Sequence, residues 1–139
     1  MKTYEIIDTT ADIGIRAFGG DLPEVYANAA LGMLSLITDT ATVREELDRA
    51  IVINAPDSDA LLVEWLNELI FLFDTEMLLF SRFEIVMPDR FRILARCFGE
   101  KADRTRHELK RGIKSATYHK LKVEQKKDGD FQAEVILDI

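Results

Sequence analysis

One cysteine, two histidines, one tryptophan and three prolines are all that the 139 residues contain of these types. The lone Cys97 excludes an internal disulfide and every zinc pattern built from paired cysteines, and it suits a reducing compartment. His107 and His119 are too few for a histidine-rich metal site. No apolar run approaches the roughly 20 residues that span a bilayer. Leu61–Phe73, the longest candidate, is interrupted by Glu64, Asn67 and Glu68. The opening Met1-Lys2-Thr3-Tyr4-Glu5 goes straight into strand-like alternation and lacks the apolar core and cleavage site of a signal peptide, so a cytoplasmic location and no membrane partner are expected. Also missing are Gly-x-x-x-x-Gly-Lys-Ser/Thr, Gly-x-Gly-x-x-Gly and Gly-x-Ser-x-Gly, which argues against a nucleotide hydrolase, a dinucleotide-binding enzyme or a serine hydrolase. An autonomous catalyst of a common kind is not expected.

What is present is 47% apolar and 31% charged residues, the composition of a globular chain long enough to bury a sizeable core without disulfide or metal support. A single domain over 1–139 is the expectation. The net charge of −7 argues against a protein that coats nucleic acid through bulk charge. That charge is uneven. Residues 1–89 carry 5 basic and 17 acidic side chains, net −12, and residues 90–139 carry 13 basic and 8 acidic, net +5. The densest basic stretch is Lys101, Arg104, Arg106, Lys110, Arg111 and Lys114. It reads either as a patch for phosphate or an acidic partner, or as a solvated loop with Asp103 and Glu108 as counter-charges. Aromatic residues are too sparse there for a stacking platform for single-stranded RNA, and direct RNA contact stays open.

Tyr4–Ile7 and Asp12–Phe18 read as strands, the second alternating Ile13, Ile15 and Ala17 against Asp12, Gly14 and Arg16. Gly19-Gly20 stops it. Asp21 with Glu24 three residues on opens a helix carrying Leu22, Val25, Tyr26, Ala29, Ala30, Met33, Leu34 and Ile37 at helical spacing. Ala50–Ile53 is a short buried strand candidate. Pro56-Asp57-Ser58-Asp59 offers caps for a second helix from about Ala60 to Asp74, with Trp65 as a core residue. Phe83–Met87 and Phe91–Phe98 flank Pro88-Asp89 as a hairpin, with Cys97 an apolar filler in its second strand. Ile113–Tyr118 is ambiguous in type. Leu121–Lys126 and Phe131–Leu137 flank an Asp-Gly turn. The sum is an α+β fold, two main helices packed on a mostly antiparallel sheet of about seven strands.

Chemistry is concentrated in two carboxylates. Asp12 opens an Ile-rich strand, and Asp138 closes another, one residue before Ile139. If those strands pair, Asp12, Asp138 and the terminal carboxyl of Ile139 form an all-oxygen cluster suited to Ca²⁺ or Mg²⁺. Exposed strand-end charges would leave the same pattern. Glu108 and His119 are an acid/base pair only if the fold joins them.

Five segments in this order resemble the archease family: Thr10–Gly19, Asn28–Met33, Trp65–Glu76, Ile113–His119 and Val135–Ile139. The likeness runs from end to end. It implies an α+β domain that serves as a non-catalytic accessory protein to the RtcB-type RNA ligase of tRNA splicing, promoting its guanylylation and multiple turnover. It also implies a divalent metal, with Ca²⁺ foremost and Mg²⁺ or Mn²⁺ as alternatives, on Asp12, Asp138 and Ile139. Lys114, in the shared segment, is the candidate contact to phosphate or to the ligase. The alternative implied is a chaperone-like specificity modulator of a tRNA methyltransferase. One departure stands out: Thr9 occupies the position where the family usually carries His.

Overall fold

The structure is a computed structural model and describes residues 3–8 and 10–139. It contains two antiparallel sheets with two helices between them. The first sheet is built on the pair β1 (Tyr4–Asp8) and β2 (Ile13–Gly19), with β2 against β8 (Phe131–Asp138). On its other edge β8 takes β6 (Ser115–Ala116) at one end and β7 (Lys122–Gln125) at the other. The second sheet has the order β3 (Leu47–Asn54), β5 (Arg92–Lys101), β4 (Leu78–Val86). Helix α1 (Leu22–Ile37) packs on β1, β2 and β8 and also touches β4. Helix α2 (Ser58–Glu76) touches β6 and β7 on one side and β3, β4 and β5 on the other. The fold is α+β, as the order of apolar patterns predicts, with eight strands among the described residues rather than about seven.

Local sequence explains the helix starts. The Asp21 carboxylate accepts from the Glu24 N–H at 2.9 Å, and Asp57 does the same for Ala60 at 2.8 Å, each satisfying one donor that the helix itself leaves open. Helix α2 runs on to Glu76 and stops at Met77, whose φ of 56° is left-handed and lets its N–H return to the Phe73 carbonyl. Trp65 is fully buried, meets Phe83 edge-on at 5.5 Å between ring centres, and donates its indole N–H to the Tyr26 carbonyl at 2.9 Å. It joins the two helices to the second sheet.

Strand β4 differs most from expectation. It begins at Leu78 instead of Phe83, because Leu78, Leu79 and Phe80 are buried on both faces and show no alternation. A bulge between Phe80 and Arg82 then restores period-two patterning. Gly99 of β5 lies directly behind that stretch: a Cβ there would stand 1.8 Å from the Leu79 carbonyl oxygen. Only glycine allows the two backbones to come so close. Cys97 is buried in β5, and burial pushes its thiol up to about 12, which keeps it inert at neutral pH.

The basic stretch, residues 102–114, is a long connection with no helix or strand. It is held down by a buried polar cluster. The Glu100 carboxylate, 3% exposed, accepts from the Arg44 N–H at 2.6 Å, from His107 Nε2 at 3.0 Å and from the Arg106 guanidinium. His107 Nδ1 in turn accepts the Asp103 N–H at 2.9 Å, which fixes the ring as the tautomer with its proton on Nε2. Burial alone pushes the Glu100 carboxyl up, but the Arg44 N–H, His107 and Arg106 outweigh it and hold it below the ordinary value.

Candidate functional site

The antiparallel register between β2 and β8 sets Ile13 opposite Leu137, so Asp12 and Asp138 follow as the next facing positions at the same end of the sheet. On the other side of β8, Ser115 pairs with Asp138, and the Lys114 N–H donates to the Asp138 carbonyl at 2.8 Å. Three chain segments 10 to 139 residues along the sequence are thereby brought to one tip, and Asp12, Lys114, Asp138 and Ile139 are neighbours. Strand β6 is only two residues long and depends on help from α2. The Asn67 carboxamide accepts the Ala116 N–H at 2.7 Å and reaches back to the Ala116 carbonyl at 3.5 Å, acting as a substitute strand neighbour. Asn67 therefore positions Lys114 indirectly.

A groove of about 300 Å³ opens at this tip, lined by Asp8, Thr10, Asp12, Arg111, Asp138 and Ile139 among others. Asp138 is exposed and Asp12 half-buried. Asp8 closes β1 opposite Ile13, which brings a third carboxylate to the rim. Arg111, from the long basic connection, adds a cation that forms no ion pair within the described residues. Asp8 was not singled out from sequence as a site residue, whereas Arg111 belongs to the basic stretch that one reading takes as a patch for phosphate or an acidic partner. The tight β1–β2 connection could have revealed Asp8, since the hairpin must return it beside the start of β2. The charge of Arg111 is legible in the basic stretch, but its arrival at the tip is not, because the connection that carries it has no period.

The donor set is all oxygen: two or three carboxylates and the main-chain oxygens at Ile139. That set suits a hard cation such as Ca²⁺, Mg²⁺ or Mn²⁺ and gives nothing to a soft one. Among the described residues, no three His, Cys, Asp or Glu side chains converge closely enough to hold a metal ion. A cation would rest on the Asp12 and Asp138 pair, completed by Ile139 and water. Thr9, at the family's histidine position, lies outside the described residues. Glu108 and His119 are both exposed and form no ion pair or hydrogen bond with each other. No described helix is long and apolar enough to cross a membrane.

Comparison with known proteins bears on the whole chain. It is 38% identical over 142 residues to Protein archease of Methanothermobacter thermautotrophicus, covering 100% of both chains. It is 37% identical to Protein archease of Methanosarcina mazei, covering 99% of this chain and 97% of that one. The solution structure of Protein 1598 from Methanobacterium thermoautotrophicum superposes with a TM-score of 0.82 at 35% identity, covering 100% of both. A crystal structure from Thermotoga maritima, described as an archease and possible chaperone, shares the fold with a TM-score of 0.64 at 18% identity, over 96% of this chain and 94% of that one. The sequence profile of the Archease protein family matches residues 4–139, and the chain belongs to that family.

Proposed function

We propose that this chain is a non-catalytic accessory protein that activates an RtcB-type RNA ligase, promoting its guanylylation and repeated turnover through a divalent cation held at the Asp12–Asp138 tip. The observation that carries the reading is the β2–β8 register, which makes Asp12 and Asp138 adjacent at an exposed edge beside Lys114. The carboxylates of Asp12 and Asp138 would hold the cation with main-chain oxygen from Ile139. When bound, the cation supplies Lewis acidity and neutralises charge on a polyphosphate leaving group. Arg111, which lines the groove, and Lys114, whose N–H bonds the Asp138 carbonyl, would receive phosphate oxygens, Arg111 as a planar fork and Lys114 as a point charge. In this reading the partner supplies the nucleophile.

A second reading, a chaperone-like modulator of a tRNA methyltransferase, rests on a different surface. On the outer face of the second sheet Val52, Leu94 and Val86 lie side by side in register, with Val52 60% and Val86 63% exposed. Such a row suits apolar contact with another protein. The two readings separate in one experiment. Guanylylation of an RtcB-type ligase with GTP and Mn²⁺ is measured alone, with this protein, and with folded Asp12→Ala or Asp138→Ala versions. Acceleration by the wild type and by neither variant supports the metal tip. Equal acceleration by the variants removes it, and no acceleration by any form directs attention to the apolar row.

A further inference from the structure

Strand β3 has β5 on one side and no strand on the other among the described residues. The Ala55 N–H donates to the Phe91 carbonyl at 2.9 Å, and from that bond the register runs without a shift through Ile53–Ile93 and Ile51–Ala95. Bonded pairs alternate along an antiparallel ladder, so Ala55, Ile53 and Ile51 turn their backbone groups to β5, whereas Asn54, Val52 and Ala50 turn theirs outward. Three residues thus offer N–H and C=O groups along about 13 Å of edge. The devices that ordinarily blunt such an edge are not used here: Ala50-Ile51-Val52-Ile53 holds no charge, no proline and no bulge. Beneath the edge a groove of about 400 Å³ runs between β3 and α2, lined by Val52, Ile53, Asn54, Glu64, Asn67 and Glu68. Two carboxylates and no cation line it. Glu64 is exposed and has no ion pair or hydrogen bond among the described residues. Arg49 lies near enough to Glu68 to feel its charge, but Glu76 holds it through two bonds of 2.8 and 3.1 Å.

We propose that this edge takes up an extended segment of a partner protein in which basic side chains alternate with apolar ones. The backbone of that segment pairs with Ala50, Val52 and Asn54, a strand addition that continues the β3–β5–β4 sheet. Its side chains then fall on two faces. Those on the inner face reach the carboxylates of α2, and those on the outer face lie beside Ala50 and Val52, both exposed. The spacings agree. Glu64 and Glu68 are four residues apart on a helix, about 6 Å along its axis, and alternate residues of a strand are about 6.7 Å apart. Successive Lys or Arg residues of the inner face therefore meet successive carboxylates. A second copy of this chain is a poorer match, because pairing β3 with β3 about a two-fold axis brings Glu64 and Glu68 of both copies to one seam. The site belongs to the second sheet and does not rest on the carboxylate tip or on what that tip does.

The test is a titration of the full chain, labelled with ¹⁵N, with a short acetylated and amidated peptide in which Lys and Val alternate. Saturable shifts and slower hydrogen exchange at Ala50, Val52 and Asn54 are expected, with the β2 and β8 amides unmoved. Two further peptides carry N-methyl groups on every Val or on every Lys. Only one of these sets of N–H groups faces β3, so the two peptides should differ at least about tenfold in affinity, a difference that charge attraction alone does not produce. The combined Glu64→Gln and Glu68→Gln variant should weaken the unmodified peptide about threefold to tenfold at low salt, and a peptide alternating Glu and Val should not bind. Absence of saturable shifts at these residues, equal binding of the two N-methylated peptides, or unweakened binding by the double variant overturns the proposal. Shifts of the same three amides with protein concentration alone assign the edge to a second copy, and overturn it too.

Discussion

Replacing Glu100 by Gln isolates what holds the basic connection in place. In the folded chain this carboxylate receives the Arg44 N–H, the proton on His107 Nε2 and the Arg106 guanidinium in a 3% exposed position. A Gln keeps one oxygen for two of those donors but turns an NH₂ toward another donor, so at least one charge-assisted bond becomes a donor–donor contact. Loss of such a bond with burial of an unmatched group costs about 2–4 kcal/mol, tempered here because Arg106 can swing into solvent. For a chain of this size that is a fall of roughly 6–12 °C in Tm. The pH dependence carries the sharper signal. Glu100 is held below its ordinary value, so the unfolded chain binds its proton more readily than the folded one, and its contribution is full above the unfolded carboxylate range, near pH 4.3. That contribution disappears as pH falls through the depressed folded value. The stability gap between wild type and Glu100→Gln, measured by urea unfolding, should therefore be largest at neutral pH and close as the solution is acidified. A gap that persists unchanged to about pH 3, or one below about 0.5 kcal/mol at pH 7, would refute the argument.

Other consequences follow from the same geometry. On the proposed metal tip, Asp12→Asn and Asp138→Asn should each weaken Ca²⁺ binding at least tenfold by calorimetry, and unchanged binding in both would refute that reading. Arg111→Ala should tighten binding of bare Ca²⁺ about three- to tenfold at low salt, with the effect shrinking as salt rises; no change would place Arg111 outside the field of the groove. Gly99→Ala should cost more than about 3 kcal/mol and broaden the resonances of Leu79 and Phe80, since backbone atoms cannot yield to a new Cβ as a flexible side chain does. Asn67→Ala should speed hydrogen exchange at Ala116 well ahead of global unfolding, because its N–H then has no acceptor.

Periodic, half-buried segments were readable from sequence. Helix α1 has an unambiguous cap in Asp21 and Glu24 and a broad apolar face, and β8 alternates cleanly from Phe131 to Leu137. The start of β4 was not readable, because a strand buried on both faces carries no period, and Leu78–Phe80 follows a helix end that looks equally apolar. The division into two sheets was hidden as well: it is decided by which strand β8 and β5 accept as neighbours, and those pairings span long separations. At the tip, the positions of Asp12 and Asp138 could be anticipated as strand ends, whereas their adjacency needed the register. Arg111 is visible in sequence as part of the basic stretch, but the course of its connection is set by Glu100 and His107, and no short-range pattern encodes its arrival at the tip.

The placement of β8 has a kinetic consequence. This strand is hydrogen-bonded to β2 on one side and to β6 and β7 on the other, and its ion pair between Arg16 and Glu134 joins residues 118 apart in sequence. Until β8 arrives, β2 lacks its second strand neighbour, β6 and β7 lack their strand partner, and Asp138 has not been brought beside Asp12. The first sheet must therefore form by closing a very long loop late, which slows folding and leaves an unpaired β2 edge exposed in the meantime. The helices and the β3–β5–β4 sheet lie within residues 22 to 101 and can assemble beforehand. Assembly of this protein should thus proceed in two stages, with the tip acquired only in the second. A slow refolding phase that restores the β2 and β8 amides together, after those of β5, would be its signature.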